Sequence, residues 1–353
     1  ADKEKNQLYY RGYAIEDLAE HSAYEEVSYL LMHGELPGQA ALDAFKRKLK
    51  GMRTLPDPLK LVLEQLPATA DAMDVLRTGC SVLGSLEPET KEYGLPEVGT
   101  RLTACFPSML YYWYHFHRSG KRIDTVTDDD SVAGHLLHLL HGRAPDEPTR
   151  RAIDVSLMVY AEHDFNASTF AARVATSTLS DVYSAFVAAI ATLRGPLHGS
   201  ANAAVLAMLS RFRSADEAEA AVMEMLAKKA RTPGFGQRAY STADPRNAIN
   251  KQWARKLSAQ SADQSLFEVA DRVEAVMRRE KRMFANLDYY TAGIYKICGL
   301  PVAMFPPMFL MARVCGLIAH IAEQRKNNRL IHPSSSYVGP PPRPFPRPAE
   351  RAN

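Results

Sequence analysis

Nineteen residues near the end of the chain, FPPMFLMARVCGLIAHIAE (305–323), are apolar on every face of a helix apart from Arg313, His320 and the closing Glu323. Such a helix has no solvent side, so the rest of the chain must be built around it. Two prolines, an arginine and a histidine inside the stretch argue for a buried helix of a soluble protein rather than a membrane span. A second segment, STLSDVYSAFVAAIATL (177–193), is apolar nearly all round and rich in alanine and serine. It is expected to be buried on every side or packed against another subunit.

The remaining segments supply what would surround these two. SAYEEVSYLLMHGELP (22–37) opens on a capping box, Ser22 with Glu25, and stops at Gly34 and Pro37. SADEAEAAVMEMLAKKA (214–230) repeats the design with Ser214 and Glu217, and its stripe runs through Ala218, Ala221, Val222, Met225 and Leu226. DSVAGHLLHLLHG (130–142) and LFEVADRVEAVMRREKRMF (266–284) have the same period, and alternating β-branched runs are nearly absent. The fold class is therefore all-α. The tail SYVGPPPRPFPRPAERAN is too rich in proline for helix and reads as an extended arm lying along the protein's own surface.

With 353 residues the chain can bury a sizeable core, as one large domain or two. Its 43 basic and 40 acidic residues are interspersed, which leaves no stripe for nucleic acid and no polybasic patch for a membrane surface. Cys80, Cys105, Cys298 and Cys315 lie far apart without metal spacing, so buried thiols in a reducing, cytoplasmic setting are expected. No metal site is expected.

Several polar residues stand in settings that composition does not explain. YAEHDFNASTF (160–170) places His163 before a helix start, and LRGPLHGSAN (193–202) sets His198 in a loop between proline and glycine. FANLDYYTAG (284–293) surrounds Asp288 with apolar and aromatic residues, where desolvation raises a carboxyl toward a usable base. Arg246 and Arg313 are isolated cations suited to forked carboxylate binding. TPGFGQRAYSTADPR (232–246) adds a glycine turn that delivers Gln237, an amide that can donate a hydrogen bond but is neither acid nor base near pH 7. Each has a structural alternative: His163 as a cap, His198 as a core histidine, Asp288 as a helix N-cap, the arginines as internal ion pairs.

Taken together these strings resemble the citrate synthase family and, within it, the 2-methylcitrate synthase branch. YYRGYAIEDLAEHSAYEEVSYLLMHGELP, MDVLRTGCSVLG, LYYWYH, TDDDSVAGHLLHLLHG, YAEHDFNASTFAARV, GPLHGSAN, MFANLDYY, ARVCGLIAHIAEQR and HPSSSYVGP follow in the family's order, almost end to end. The resemblance implies an all-helical homodimer with a large domain of residues 1–200 and 300–353 and a small domain, 201–299, closing over a cleft. It also implies a Claisen-type condensation of an acyl-CoA with a 2-oxo acid, with the CoA thioester as substrate and no bound cofactor. By position, Asp288 would take the α-proton, His198 would donate to the enolate oxygen, and His163, Arg246 and Arg313 would hold the acceptor. Phe305, Tyr289 and Met308 are candidate pocket walls.

Four positions depart from the family's pattern. Gln237 stands where the family has the histidine of its GFGH motif, and His332 where an arginine reaches the partner's site. Asp71 replaces the histidine of HPMD, and Ser200 the second glycine of the loop after His198. Changes converging on one ligand, with the proposed base and enolate donor retained, point to a different acceptor. The competing reading is a ligand-binding paralogue without turnover.

Overall fold

A computed structural model describes every residue except 237, 238, 262, 263, 352 and 353, and all but the side chain of Glu350. Among the described residues the chain forms sixteen α-helices and one two-stranded antiparallel hairpin, Tyr9–Tyr10 with Tyr13–Ala14. The apolar stretch at 305–323 is the heart of the helix Phe305–Lys326, with prolines in its first turn, where no helical hydrogen bond is lost. It packs against Tyr24–His33, Ala72–Leu86, Leu95–Ser119, Glu147–Tyr160, Ala167–Ser177 and Val182–Leu193. Its length and apolarity would also suit a membrane span, but most of its surface is buried inside the protein.

Polar anchors fix this central helix in place. The buried Tyr24 hydroxyl donates to the carbonyls of Met311 and Ala312, at 2.9 and 3.0 Å. At Gly316 the helix touches the chain at Ala161 so closely that an added Cβ would stand 2.2 Å from the Ala161 carbonyl oxygen. That absent side chain seats the Arg313 turn against the segment 160–163.

Helices from Ala201 to Ile297 pack largely on one another: Pro245–Gln260 on Leu287–Ile297, Ala215–Ala227 on Ser265–Lys281, and Ala201–Leu209 on Leu287–Ile297. They meet the remainder where Pro245–Gln260 crosses Ile15–His21 and Glu147–Tyr160. All four cysteines are free and buried.

Three sequence expectations shift. The capping box at 22–25 moves by one residue: Ala23 is the N-cap of Tyr24–His33, and Glu26 accepts from its amide at 2.8 Å. Ser22 instead closes the preceding helix Ile15–His21, its hydroxyl donating to Leu18 O, while the buried Glu25 accepts from the Val132 amide at 2.7 Å. The segment 177–193 becomes helical only at Val182, behind an Asp181 cap, and leaves Ser184 and Ala191 exposed with Val187 and Ala188 half-buried between them. The proline-rich tail does not lie on the body of its own chain, since residues 332–349 are all exposed. Proline removes the amide donors that would dock such a strand.

Candidate active site

The proposed base lies in the first turn of Leu287–Ile297. Asn286 is the cap there and accepts from the Asp288 amide at 3.1 Å, which leaves the Asp288 carboxylate to other partners. Its Oδ1 accepts from the Tyr160 hydroxyl at 2.5 Å. Burial raises its pKa above the ordinary carboxylate value, although Tyr160, Arg246 and Arg313 each pull it back. The result is a base stronger than an exposed aspartate.

Tyr160 ends the helix Glu147–Tyr160, and its ring stands 5.2 Å from that of Phe309. Phe309 lies one turn before Arg313 on the central helix and carries the Arg313 guanidinium over its face at 4.8 Å. On its other flank it meets the His198 ring at 5.6 Å. Asp288, His198 and Arg313 thus converge on the rings of Tyr160 and Phe309.

His198 is oriented by Ser168, whose amide reaches Nε2 at 3.3 Å and whose Oγ lies 2.8 Å from the same nitrogen. An amide N–H only donates, so Nε2 accepts and the ring proton sits on Nδ1. Burial, and then the Arg313 charge, push His198 down to about 4. At pH 7 it is a neutral donor, the form that can stabilise a developing enolate oxygen.

His163 is not a helix cap; Asn166 caps Ala167–Ser177. The His163 Nε2 meets the Tyr240 hydroxyl at 3.0 Å, and burial with the charges of Arg246 and Arg313 drives its pKa far down. Arg246 is buried and gripped by Asp244, which accepts from its Nε at 2.9 Å and its Nη2 at 2.7 Å. The second Asp244 oxygen also accepts from the Leu287 amide at 3.2 Å, so one carboxylate ties the arginine to the helix of the base. Arg313 is 1% exposed; its Nε donates to Tyr160 O at 2.7 Å, and its Nη1 is buried without a partner.

The glycine turn belongs to this site. Gly234 (φ +83°) and Gly236 (φ +80°) both occupy the left-handed region, and a Cβ on Gly234 would strike Tyr289 and Val205 at 2.7 Å. Gly234 O accepts from the Asn286 amide at 2.9 Å and the Gly236 amide donates to Phe284 O at 3.0 Å. The turn is therefore paired with the strand entering the Asp288 helix. Gln237 itself lies outside the described residues.

The other departures do not join the cluster within one chain. His332 sits on the exposed arm. Asp71 is the N-cap of Ala72–Leu86, accepting from the Met73 amide at 2.8 Å, with Arg194 3.9 Å away. Capping chemistry explains that carboxylate without any ligand. Ser200 precedes Ala201–Leu209 and makes no side-chain cap. Phe305, Tyr289 and Met308 are fully buried; Tyr289 lines a small apolar cavity with Phe267, Ala270 and Tyr290, and its hydroxyl donates to Ala270 O. Sequence reasoning missed Tyr160, Asp244, Tyr240 and Phe309. Only Asp244 carried a signal, an Asp-Pro step at a helix start.

The model of the citrate synthase C-terminal domain family matches residues 1–334. A 2-methylcitrate synthase of Shewanella oneidensis is 50% identical over 336 residues, covering 95% of this chain and 90% of the relative. The 2-methylcitrate synthase 2 of Corynebacterium glutamicum is 40% identical, over 95% and 90% of the two chains. Among solved structures, citrate synthase of Thermoplasma acidophilum, in ternary complex with carboxymethyl coenzyme A and oxaloacetate, superposes with a TM-score of 0.90 at 31% identity, over 98% of this chain and 94% of that one. The citrate synthase of Thermotoga maritima gives 0.88 at 35% identity, over 100% and 95%. The buried Asp288 and His198, grouped with Arg246 and Arg313, therefore sit on a backbone that nearly all of these enzymes' length shares, and the chain belongs to the citrate synthase family.

Proposed function

We propose that the chain condenses an acyl-CoA with a 2-oxo acid and then hydrolyses the thioester. Asp288 removes the α-proton, His198 Nδ1–H stabilises the enolate oxygen, and the enolate carbon attacks the acceptor's carbonyl. His163, Arg246 and Arg313 hold the acceptor. The observation that carries this reading is the buried, unpartnered Nη1 of Arg313 beside Arg246 and a neutral His163. A buried guanidinium left without a partner is costly, and a carboxylate from the acceptor would complete its bonding.

The donor is proposed to be a CoA thioester, with the exposed Lys229, Arg231, Lys281 and Arg282 as cations available to its phosphates.

The acceptor is proposed to differ from oxaloacetate. An amide at 237 cannot protonate the new alkoxide, and a histidine at 332 lacks the permanent forked charge of an arginine. A 2-oxo acid with one carboxylate fewer fits both changes. The working unit is proposed to be a homodimer, with the residue 201–299 portion as a closing domain. The small-residue face Ser184–Val187–Ala188–Ala191 would be covered by a second copy, and the exposed arm would carry His332 across. Four buried free thiols support a cytoplasmic setting.

The test is exchange of acyl-CoA α-protons with deuterated water, paired with isothermal titration of oxaloacetate and of monocarboxylic 2-oxo acids. Exchange that vanishes in Asp288→Asn, with tighter binding of the monocarboxylic acid, supports the reading. Absence of exchange would leave a binding protein without turnover. Micromolar oxaloacetate binding with fast condensation would make the acceptor the ordinary one.

A further inference from the structure

We infer that Tyr160 is the positioning residue of the reaction: it aims one oxygen of the base while its own backbone fixes the arginine that holds the acceptor. The hydroxyl donates to Asp288 Oδ1 at 2.5 Å, the carbonyl accepts from Arg313 Nε at 2.7 Å, and the ring packs on Phe309, which also meets His198 and Arg313. Among the described residues, no other side chain bonds the carboxylate of Asp288 while its backbone holds Arg313. The inference rests on the condensation reading above.

Two consequences follow from the bonding. Oδ1 already accepts one hydrogen bond, which leaves Oδ2 the more basic oxygen for proton abstraction, and the carboxylate cannot rotate without losing that buried bond. The donor also stabilises the ionised form, offsetting the burial that favours the neutral acid. Without the hydroxyl, Asp288 would hold its proton to higher pH and fewer molecules would carry a competent base at neutrality. Tyr160 is itself fully buried, and burial with the Asp288 charge keeps its phenol protonated, so it serves as a permanent donor.

The geometry is over-determined on the other side as well. Arg313 has its Nε consumed by Tyr160 O and its guanidinium laid on Phe309. Its Nη1 is left without a partner, and the base is fixed from the same residue. Base and arginine are thus both referred to Tyr160, one through its hydroxyl and the other through its backbone carbonyl.

The experiment is Tyr160→Phe in the full chain, with Tyr295→Phe as a control. Tyr295 is another fully buried tyrosine, whose hydroxyl meets Ser156 at 3.0 Å. Alpha-proton exchange in deuterated water and the pH profile of kcat/KM are measured for both and for the unaltered protein. Expected for Tyr160→Phe are a drop in exchange of at least tenfold, an acid limb moved upward by about one pH unit, and an acceptor KM within about threefold of the original. Tyr295→Phe should keep the limb in place. A Tyr160→Phe profile whose acid limb does not move, or a loss appearing only in acceptor KM, overturns the inference. If the unaltered protein itself shows no exchange, the condensation reading fails instead. Should Tyr160→Phe not fold, Tyr160→His, which keeps a ring and a donor, is expected to recover part of the exchange; no recovery in a folded variant also counts against the inference.

Discussion

Asp244 grips Arg246 along its Nε–Nη2 edge and, with the same carboxylate, accepts from the amide of Leu287, the residue before the base. The pair is buried, with side-chain exposures of 4% for the arginine and 0% for the aspartate. A guanidinium held on one edge presents the other in a fixed direction. Asp244→Asn keeps the shape but removes the charge and one acceptor. It should weaken acceptor binding by about 2 kcal/mol, because a buried cation loses its partner and gains freedom to turn. Titration calorimetry with the preferred acceptor reads this directly; an unchanged Kd would mean that Arg246 does not touch the ligand.

The pH dependence of stability has a definite sign. His198 and His135 are neutral in the fold, pushed down to about 4 and about 2 by burial first. In the unfolded chain each titrates near its ordinary value of about 6.5, so the unfolded state binds more protons below that pH. Both therefore contribute stability that is present above about pH 6.5 and lost as pH falls. For His135 the loss reaches about 3 kcal/mol by pH 4.5. Asp288, raised by burial, works in the opposite direction. Urea unfolding at pH 7 and 4.5 should show a drop that His135→Gln reduces; an identical drop in the variant would place the proton uptake elsewhere.

Gly316 predicts a coupled defect. A Cβ there would stand 2.2 Å from the Ala161 carbonyl oxygen and 3.1 Å from Cδ of Arg313. Gly316→Ala must push the central helix away from the segment 160–163, at a cost of about 1–3 kcal/mol. The same displacement moves Arg313 relative to Tyr160 O. Thermal melting should fall by several degrees and acceptor KM should rise together; a stable variant with normal KM would show that this contact can relax freely.

How far the sequence could be read differs by kind of interaction. A cap that acts within its own turn was legible: Ser214 accepts the Glu217 amide three residues on. The apolar stretch at 305–323 was legible as a buried helix because a helix with no polar face has no solvent side, whereas 177–193 leaves Ser184 and Ala191 exposed. The box at 22–25 failed by one residue since Glu25 answers to Val132, an element 107 positions away. In the site, Asp288, His198, His163, Arg246 and Arg313 were found through the family resemblance rather than their spacing. Tyr160 was not found, because nothing local distinguishes a tyrosine ending an apolar helix from any core aromatic. Its partner lies 128 residues on. Asp71 was over-read for the converse reason: a capping aspartate needs only the next turn of its own helix.

The departures at 237 and 332 give the prediction that bears most on substrate. Restoring the family's residues one at a time separates two physical effects. Gln237→His returns an acid able to protonate an alkoxide, a contribution of roughly 10²–10⁴ in rate when the proton is needed in the transition state. His332→Arg returns a permanent forked cation for a second carboxylate, and should act on oxaloacetate affinity by about 1.5–3 kcal/mol with little effect on a monocarboxylic acceptor. If the acceptor has diverged, the double variant should raise turnover of oxaloacetate while turnover of the monocarboxylic acid stays level or falls. Rates and affinities for oxaloacetate that are already high, and unmoved by either change, would mean that both positions lie outside the acceptor's reach.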